Sequence, residues 1–286
     1  MALSGALIAI LVGCRSAGPV VTPAPPMPTV APTPSAAATT AATPRVTSPP
    51  APQMTLNDDF QVAADGRSLH MWCLGSGSPT VILEAGHPSG GFDQFLKFGR
   101  SFTMLVARDR RVCLYDRAGY GVSDLAPNEP RDLDDVTGDL HALLAAAEID
   151  GPLVLVGSSF GGFIDTYYAH RFPEGVVGVV LLDVPAPSAT LSLEQVPELA
   201  WDHPSNPEHL DVVPEFENRL ATERFPFEAP LLVIVATDGQ SSLDNGSFWL
   251  DWSDESRIIE LPGDHVVYQR SPREIRDEIL KFGSQP

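Results

Sequence analysis

One stretch, PLVLVGSSFGGFIDTYYAHRF from Pro152 to Phe172, constrains the fold more than any other part of the chain. It opens with an unbroken apolar run, residues 153–156, which predicts a short strand buried on both faces. It closes with residues 163–172, which predict an amphipathic helix. Between them lies GSSFG, residues 157–161, which fits the pattern G-x-S-x-G with Ser159 at its centre.

The strand–turn–helix context gives this pattern its chemical meaning. A sharp turn between a strand and a helix holds the central serine in a strained backbone conformation and lifts its hydroxyl above the sheet. Because the bare pattern occurs by chance about once in ten chains of this length, a glycine-rich turn without chemistry is the alternative. The flanking strand and helix, with a third glycine at Gly162, favour Ser159 as a nucleophile.

Charge is distributed very unevenly along the 286 residues. The first 53 residues contain Arg15 and Arg45 and no acidic residue, so 16 of the 18 basic and all 37 acidic residues lie beyond them, a net charge of −21. So acidic a domain repels nucleic acid and anionic lipid headgroups, so neither is expected as its ligand, and the charge is interpreted as a well-solvated acidic surface.

The N-terminal segment predicts a targeting signal rather than a folded element. Residues 2–12 are apolar but too short to span a bilayer, which needs about 20 residues. They end in LVGC, which resembles the lipobox of bacterial lipoproteins and implies a signal peptide over residues 1–13 with lipidation of Cys14. No Lys or Arg precedes the apolar run, unlike most signals. An ordinary cleaved signal, with secretion, or a weak anchor is the alternative to an extracytoplasmic, membrane-anchored protein.

Residues 14–53 predict a disordered linker to a folded domain over residues 54–286. The linker is rich in Pro, Ala, Thr and Ser, and residues 18–53 hold 11 of the 28 prolines. This composition buries too little apolar surface to offset the entropy of ordering and favours extended polyproline II.

Apolar runs alternate with helical patterns through the predicted folded domain. Strands are predicted at residues 60–63, 68–74, 79–84, 111–115, 153–156, 176–182, 231–236 and 258–261. Helices are predicted at residues 92–102, 133–147, 163–172 and 272–282. Buried strands that alternate with helices predict an α/β fold with a mainly parallel sheet covered on both faces.

Three segments together resemble the α/β-hydrolases, and most of all bacterial esterase-like members. LEAGHPSGG at 83–91 resembles the loop after the third strand, YDRAGYGVSD at 115–124 the loop after the fourth, and GSSFGG at 157–162 the nucleophile turn. The resemblance covers about residues 60 to 283. It implies an eight-stranded sheet and an enzyme that needs no cofactor and no metal.

A serine hydroxyl needs a base within hydrogen-bond reach and a carboxylate that orients the base. In this family the order along the chain is serine, acid, histidine. The resemblance implies His265 as the base, because it follows the last predicted strand and precedes the final helix. Asp238, just after the seventh strand, is the preferred acid. Asp183, at the end of the sixth, is the alternative, and Asp244 is a third choice.

Negative charge develops on the substrate's carbonyl oxygen and requires two preorganised backbone donors. The resemblance implies the N–H of Phe160, directly after the nucleophile, and the N–H of His87 in the loop after the third strand. Pro88 has no N–H and cannot serve.

Residues 184–229 form an insertion where members of the family carry a lid. We expect a short lid that places an apolar wall over Ser159 and favours an uncharged acyl group. The alternative is an ordinary connecting segment whose aromatic residues pack on the core. Those aromatic residues are Trp201, Phe216, Phe225 and Phe227.

The family's strand order places the strands of Cys73 and Cys113 side by side. A disulfide is compatible with that arrangement outside the cytoplasm, and buried free thiols are the alternative.

The sequence therefore predicts a lipid-anchored, extracytoplasmic serine hydrolase that acts on a small-molecule ester or other acyl substrate. Two alternatives stay open. One is different chemistry on the same fold, such as carbon–carbon bond hydrolysis or cofactor-free peroxidation. The other is a non-catalytic surface binding protein.

Overall fold

A single mixed sheet organises the part of the chain that can be described. The computed structural model describes residues 58–64 and 66–283, all within the unit Pro50–Pro286. The predicted signal peptide (1–13), lipidation site Cys14 and linker (14–53) lie outside the described residues.

Eight strands form the sheet in the order β1-β2-β4-β3-β5-β6-β7-β8. β2 pairs antiparallel with β1 and β4, and the remaining neighbours are parallel. This confirms the predicted α/β fold with a mainly parallel eight-stranded sheet. The strands are β1 Asp58–Ala64, β2 Arg67–Leu74, β3 Thr80–Glu84, β4 Val112–Asp116, β5 Leu153–Ser158, β6 Val176–Leu182, β7 Leu231–Asp238 and β8 Ser256–Asp264.

The helices connect the strands and differ from expectation in one place. The α-helices are α1 Arg100–Val106, α2 Leu133–Ala146, α3 Gly161–Arg171, α4 Leu220–Thr222, α5 Leu243–Gly246, α6 Val267–Arg270 and α7 Pro272–Ile279. Wider π-helical turns span Phe92–Phe98 and Val212–Arg219, and 3₁₀ turns span Pro197–Leu199 and Ser247–Trp252. The helix predicted over 92–102 is thus two helices. The N–H of Gly99 reaches back five residues to the carbonyl of Gln94, at 2.7 Å, which ends the first before α1 begins. In the described ranges, no helix is both long and apolar enough to cross a bilayer.

Apolar cores cover both faces of the sheet. Along β5, Leu153 and Leu155 lie in one buried cluster, while Val154 and Val156 lie in the other. Successive strand side chains point to opposite faces, so this alternation requires an apolar residue at every position. It is the physical basis of the unbroken run.

A disulfide joins the two antiparallel strands at one side of the sheet. Cys73 on β2 lies directly opposite Cys113 on β4, and the two sulfurs are bonded. Both side chains are fully buried. The structure therefore contains the disulfide rather than two free thiols.

Candidate active site

Ser159 lies on a strained turn between β5 and α3. Its φ of +53° is in the left-handed region, which is sparsely populated by residues other than glycine. The flanking glycines are required by close packing, because a Cβ at Gly157 would lie 2.6 Å from Gly162 and one at Gly161 would lie 2.5 Å from the carbonyl oxygen of Glu84. The turn is thus the one that the pattern predicts.

The carboxylate that meets His265 is Asp183. His265 Nδ1 lies 2.7 Å from Asp183 Oδ2, and the Asp183 side chain is fully buried. The same carboxylate accepts three backbone N–H groups from the end of β7 and the segment after it, from Ala236 at 3.2 Å, Gln240 at 2.7 Å and Ser241 at 3.3 Å. Four polar contacts therefore fix its orientation and compensate its burial.

The preferred choice of Asp238 as the partner of His265 is wrong. β7 continues through Asp238, which pairs in register with Asp264 of β8 and is exposed. The Asp183 carboxylate occupies the space that the chain encloses after β7, so His265 turns towards β6 instead. Asp244 is also exposed, on α5.

Asp183 also has a left-handed backbone, with a φ of +49°. Among the described residues, four that are not glycine have a positive φ, and Ser159 and Asp183 are two of them. Such conformations cost of order 1–3 kcal/mol each and cluster at functional sites. Strain at both positions marks the ends of β5 and β6 as the site.

A cavity of about 290 Å³ lies at this edge of the sheet and contains both Ser159 and His265. Its walls come from the loop after β3, the following π-helical turns, the Ser159 turn and the residues around α6. The lining residues are Gly86, His87, Pro88, Ser89, Gln94, Phe98, Ser158, Ser159, His265, Val266, Tyr268 and Gln269.

The insertion at 184–229 contributes no residue to this cavity, so the expected apolar wall over Ser159 is wrong. Phe216 is fully buried and packs 4.8 Å from the ring of Phe160. Phe225 packs on Tyr167, and Phe227 is buried in the core. Phe216, Phe225 and Phe227 therefore serve the core, which was the alternative expectation, whereas Trp201 is half-buried and packs on His209.

Two backbone N–H groups at the site have no hydrogen-bond partner in the described part of the chain. They belong to His87, which lines the cavity, and Phe160, directly after Ser159, and these are the two donors expected for a developing oxyanion. Between His87 and β3, the N–H of Gly86 is held at 2.8 Å by the side-chain oxygen of buried Gln94.

Behind the His87 loop lies a buried charge cluster that the sequence interpretation did not identify. Arg117, from the YDRAGYG segment, lies between the carboxylates of Glu84 and Glu208. Burial alone would raise the pKa of Glu208, but the Arg117 guanidinium outweighs it and lowers the pKa to about 2. Glu208 therefore remains ionised at neutral pH.

A second buried carboxyl close to this cluster behaves in the opposite way. Asp165, on α3, is fully buried, and neither carboxyl oxygen has a hydrogen-bond partner among the described residues. Burial, together with the charge of Glu84, raises the pKa of Asp165 well above its ordinary value. Burial and the neighbouring charge therefore favour the neutral form of Asp165.

The functional candidates that sequence reasoning missed differ in the signal they leave. Glu84 and Arg117 lie inside two of the quoted motifs, so a buried ion pair between these opposite charges could have been proposed from the sequence. Gln94 and Glu208 lie in segments without a motif, so only the fold brings them to the site. Across residues 58–64 and 66–283, no three His, Cys, Asp or Glu side chains group as ligands for a metal ion.

Comparisons with known proteins agree with this architecture. The family model described as "alpha/beta hydrolase fold" matches residues 79–228, more than half of the chain. Among solved structures, an esterase from Thermogutta terrifontis superimposes with a TM-score of 0.62 at 18% identity, over 78% of this chain and 97% of that chain.

Curated relatives match over shorter stretches. The lipase LipV of Mycobacterium tuberculosis is 29% identical over 180 residues, 58% of this chain and 67% of LipV. The 2-hydroxy-6-oxo-2,4-heptadienoate hydrolase of Pseudomonas putida is 30% identical over 121 residues, 42% of each protein. Three longer relatives are spanned over only 38%, 27% and 15% of their length. The fold, the family match and the strained serine turn agree, and the chain belongs to the α/β-hydrolase fold family.

Proposed function

We propose that this protein is a serine hydrolase that cleaves carboxylic esters with Ser159, His265 and Asp183. The observation that carries the proposal is the 2.7 Å contact between His265 and the buried carboxylate of Asp183, beside a cavity that also contains Ser159. A histidine oriented by a carboxylate next to a serine on a strained turn is the arrangement that nucleophilic acyl transfer needs.

In the first half of the reaction, Ser159 Oγ attacks the ester carbonyl carbon. With Nδ1–H of His265 donated to Asp183, Nε2 is the basic nitrogen and takes the hydroxyl proton. The carbonyl oxygen becomes an oxyanion, which accepts hydrogen bonds from the N–H groups of His87 and Phe160. The carbon–oxygen bond to the alcohol then breaks, and the alcohol leaves with the proton from Nε2.

In the second half, water attacks the acyl-enzyme. His265 Nε2 takes a proton from the water, a second tetrahedral oxyanion forms in the same place, and the bond to Ser159 Oγ breaks. The proton returns to Oγ, so the products are one alcohol and one carboxylic acid. Every step is a proton transfer or an acyl transfer, and the proposal requires no cofactor.

The substrate proposed is a small, uncharged ester. The cavity of about 290 Å³ is just below the usual range for small-molecule sites, which begins at about 300 Å³. The acidic net charge of the protein repels anionic substrates at long range. Phe98 lines the cavity and is 62% exposed, so an apolar surface is available at its mouth.

Covalent labelling with a fluorophosphonate probe, followed by intact mass and peptide mapping, tests the proposal. We expect one adduct on the wild type, at Ser159, and none on Ser159→Ala or His265→Ala. Ser158→Ala is the matched control, because this neighbouring serine lies on the same cavity but ends β5, and it should label normally. Folded wild-type protein without an adduct would contradict the proposal and favour a binding protein on this scaffold.

Carbon–carbon bond hydrolysis is the second candidate, favoured by the 30% identity to the Pseudomonas putida hydrolase. Turnover of a short-chain aryl ester and of a 2-hydroxy-6-oxo-dienoate, each followed by product mass, separates the two. Ester turnover without cleavage of the dienoate supports the esterase.

We also propose that a lipid on Cys14 anchors the protein outside the cytoplasm, supported by the LVGC segment that follows the apolar run. Cells that express the wild type or Cys14→Ser should differ in fractionation and in labelling by a palmitate analogue. Identical membrane recovery and labelling of the two forms would contradict the anchor.

A further inference from the structure

Arg117 uses all of its hydrogen-bonding capacity on groups around the His87 loop. A guanidinium has five N–H donors in a rigid planar fork. Nε and Nη2 donate to the two oxygens of Glu208 at 2.5 and 2.9 Å, and Nη1 donates to Glu84 at 2.5 Å. The remaining two donors reach the backbone carbonyl oxygens of Ala85, at 2.7 Å, and Gly86, at 3.4 Å.

Those two carbonyls belong to the peptide groups that lead into the oxyanion donor. The carbonyl of Ala85 shares its peptide plane with the N–H of Gly86, which Gln94 holds from the other end. The carbonyl of Gly86 shares its plane with the N–H of His87. In a planar trans peptide the C=O and the N–H point in opposite directions. Arg117, by attracting the Gly86 carbonyl inwards, therefore directs the N–H of His87 towards the cavity.

Glu208 fixes the guanidinium from the insertion. Its carboxylate is fully buried and accepts two parallel hydrogen bonds, from Nε and Nη2 of Arg117. Such a bidentate pair is strong and fixes the orientation of the guanidinium. The turn that presents it is well determined, because the Asn206 side chain donates to the carbonyl of Leu210 at 2.8 Å and accepts its N–H at 3.1 Å. His209, the residue after Glu208, has a φ of +54°, a third strained position next to this site.

We infer that Arg117 is a positioning residue for the oxyanion donor of His87, and that Glu208 orients Arg117 from the insertion. The insertion thus acts on the reaction through buried Glu208, which pairs with Arg117 and also lies 3.8 Å from His87 Nδ1, rather than by covering the cavity. This inference depends on the proposed function, because it assumes that an oxyanion forms beside His87.

The test compares Arg117→Lys and Glu208→Gln with the wild type. Lysine keeps the charge but has three donors and no fork, so it cannot hold two carboxylates and two carbonyls together. With rates divided by the number of fluorophosphonate-reactive sites, we expect kcat for an acetate ester to fall about 10- to 100-fold, since misplacement by 1 Å can cost 10²-fold. KM should change less than about threefold, because ground-state binding does not use the oxyanion contacts.

The Ki of an inhibitor that forms a tetrahedral adduct is a second measurement. It reports on the oxyanion contacts, and a purely structural role of Arg117 would leave it unchanged. A trifluoromethyl ketone forms the oxyanion on Ser159, so its Ki should weaken by the same factor as kcat/KM falls. Arg131→Lys is the matched control. Arg131 is equally buried, its side chain pairs with Asp139 and it does not line the cavity. Its backbone pairs with the turn that carries Glu208, which a change of side chain retains, so its replacement should leave kcat and Ki unchanged.

Two results would overturn the inference. One is an Arg117→Lys protein whose site-normalised kcat and Ki stay within twofold of the wild type. The other is an equal loss in Arg131→Lys, which would assign the effect to general destabilisation. If Arg117→Lys does not fold, the nearly isosteric Glu208→Gln decides the question by the same criteria. An unreactive wild type is a different result, because it contradicts the proposed function itself.

Discussion

His265 and Asp183 meet across the carboxyl edge of the sheet, with Nδ1 and Oδ2 2.7 Å apart. The two residues follow β8 and β6, which β7 separates in the sheet. Three N–H groups, from the end of β7 and the segment after it, hold the Asp183 carboxylate in place beside His265. The acid is therefore selected by the backbone around it as much as by its own position.

Asp183→Asn should abolish most of the activity, whereas Asp238→Asn should not. Loss of the carboxylate removes the group that holds the tautomer of His265 and stabilises its charged form, an effect worth about 10⁴ in kcat in the serine protease triad. Esterase kinetics on both variants measure the difference, with thermal unfolding as the check on folding. An Asp238→Asn enzyme as impaired as Asp183→Asn would contradict the assignment.

The individual strands and the serine turn were predictable because local patterns encode them, whereas the strand order came from the resemblance to the family. The unbroken apolar run of β5, the glycines around Ser159 and the position of His265 after the last strand each follow from short stretches of sequence. The choice between Asp183 and Asp238 was not predictable in this way. Both aspartates end neighbouring parallel strands, and the difference depends on how one loop closes around a side chain.

Glu208 and the role of the insertion were beyond sequence reasoning for a related reason. The aromatic residues of the insertion are compatible with a wall over the cavity or with core packing, and composition does not separate the two. Glu208 is one acid among many in an acidic chain. Only its contact with Arg117, 91 positions earlier, distinguishes it from a solvated surface glutamate.

Gly119→Ala should destabilise the protein and lower its activity. Gly119 has a φ of +85°, and a Cβ there would lie 2.2 Å from the carbonyl oxygen of Pro207. The left-handed conformation alone costs an alanine about 1–2 kcal/mol, and the clash pushes away the segment that carries Glu208. Urea unfolding and esterase kinetics measure both effects.

The matched control for that prediction is Gly138→Ala. Gly138 lies inside α2, and a Cβ there would meet only the end of the Arg171 side chain, at 3.8 Å. Alanine in a helix interior is favoured over glycine by about 0.5–1 kcal/mol, so this variant should be as stable as the wild type or more so. A Gly119→Ala protein that behaves like Gly138→Ala would show that the insertion does not need this close contact.

The disulfide between Cys73 and Cys113 should contribute measurably to stability. It closes a loop with a sequence separation of 40, for which the chain-entropy model gives about 4 kcal/mol and measured values of about 2–4 kcal/mol are typical. We expect the free energy of unfolding of the double variant Cys73→Ala/Cys113→Ala, measured by urea titration, to be lower than that of the wild type by that amount. Thiol counting on Cys14→Ser protein, denatured without reductant, should find no free thiol, and two free thiols would contradict the bond.

Asp165→Asn should stabilise the protein at neutral pH and have no such effect in acid. Burial favours the neutral form of Asp165 in the folded state and raises its pKa well above 3.8. Below pH 3.8 the carboxyl is protonated in both states and contributes nothing. Above it the unfolded chain releases the proton while the folded chain retains it, so stability falls as pH rises, by about 1.4 kcal/mol for each unit of the shift.

Asparagine is uncharged in both states and carries no such cost. Its advantage over the wild type should therefore be absent near pH 3.5, appear as the pH rises past 4 and be largest at pH 7, as measured by urea unfolding at each pH. Asp254→Asn, at an exposed position, is the control and should change stability by less than about 0.5 kcal/mol throughout. A stability difference between Asp165→Asn and the wild type that does not change between pH 3.5 and pH 7 would contradict the prediction, because a raised pKa in the folded state requires that difference to depend on pH.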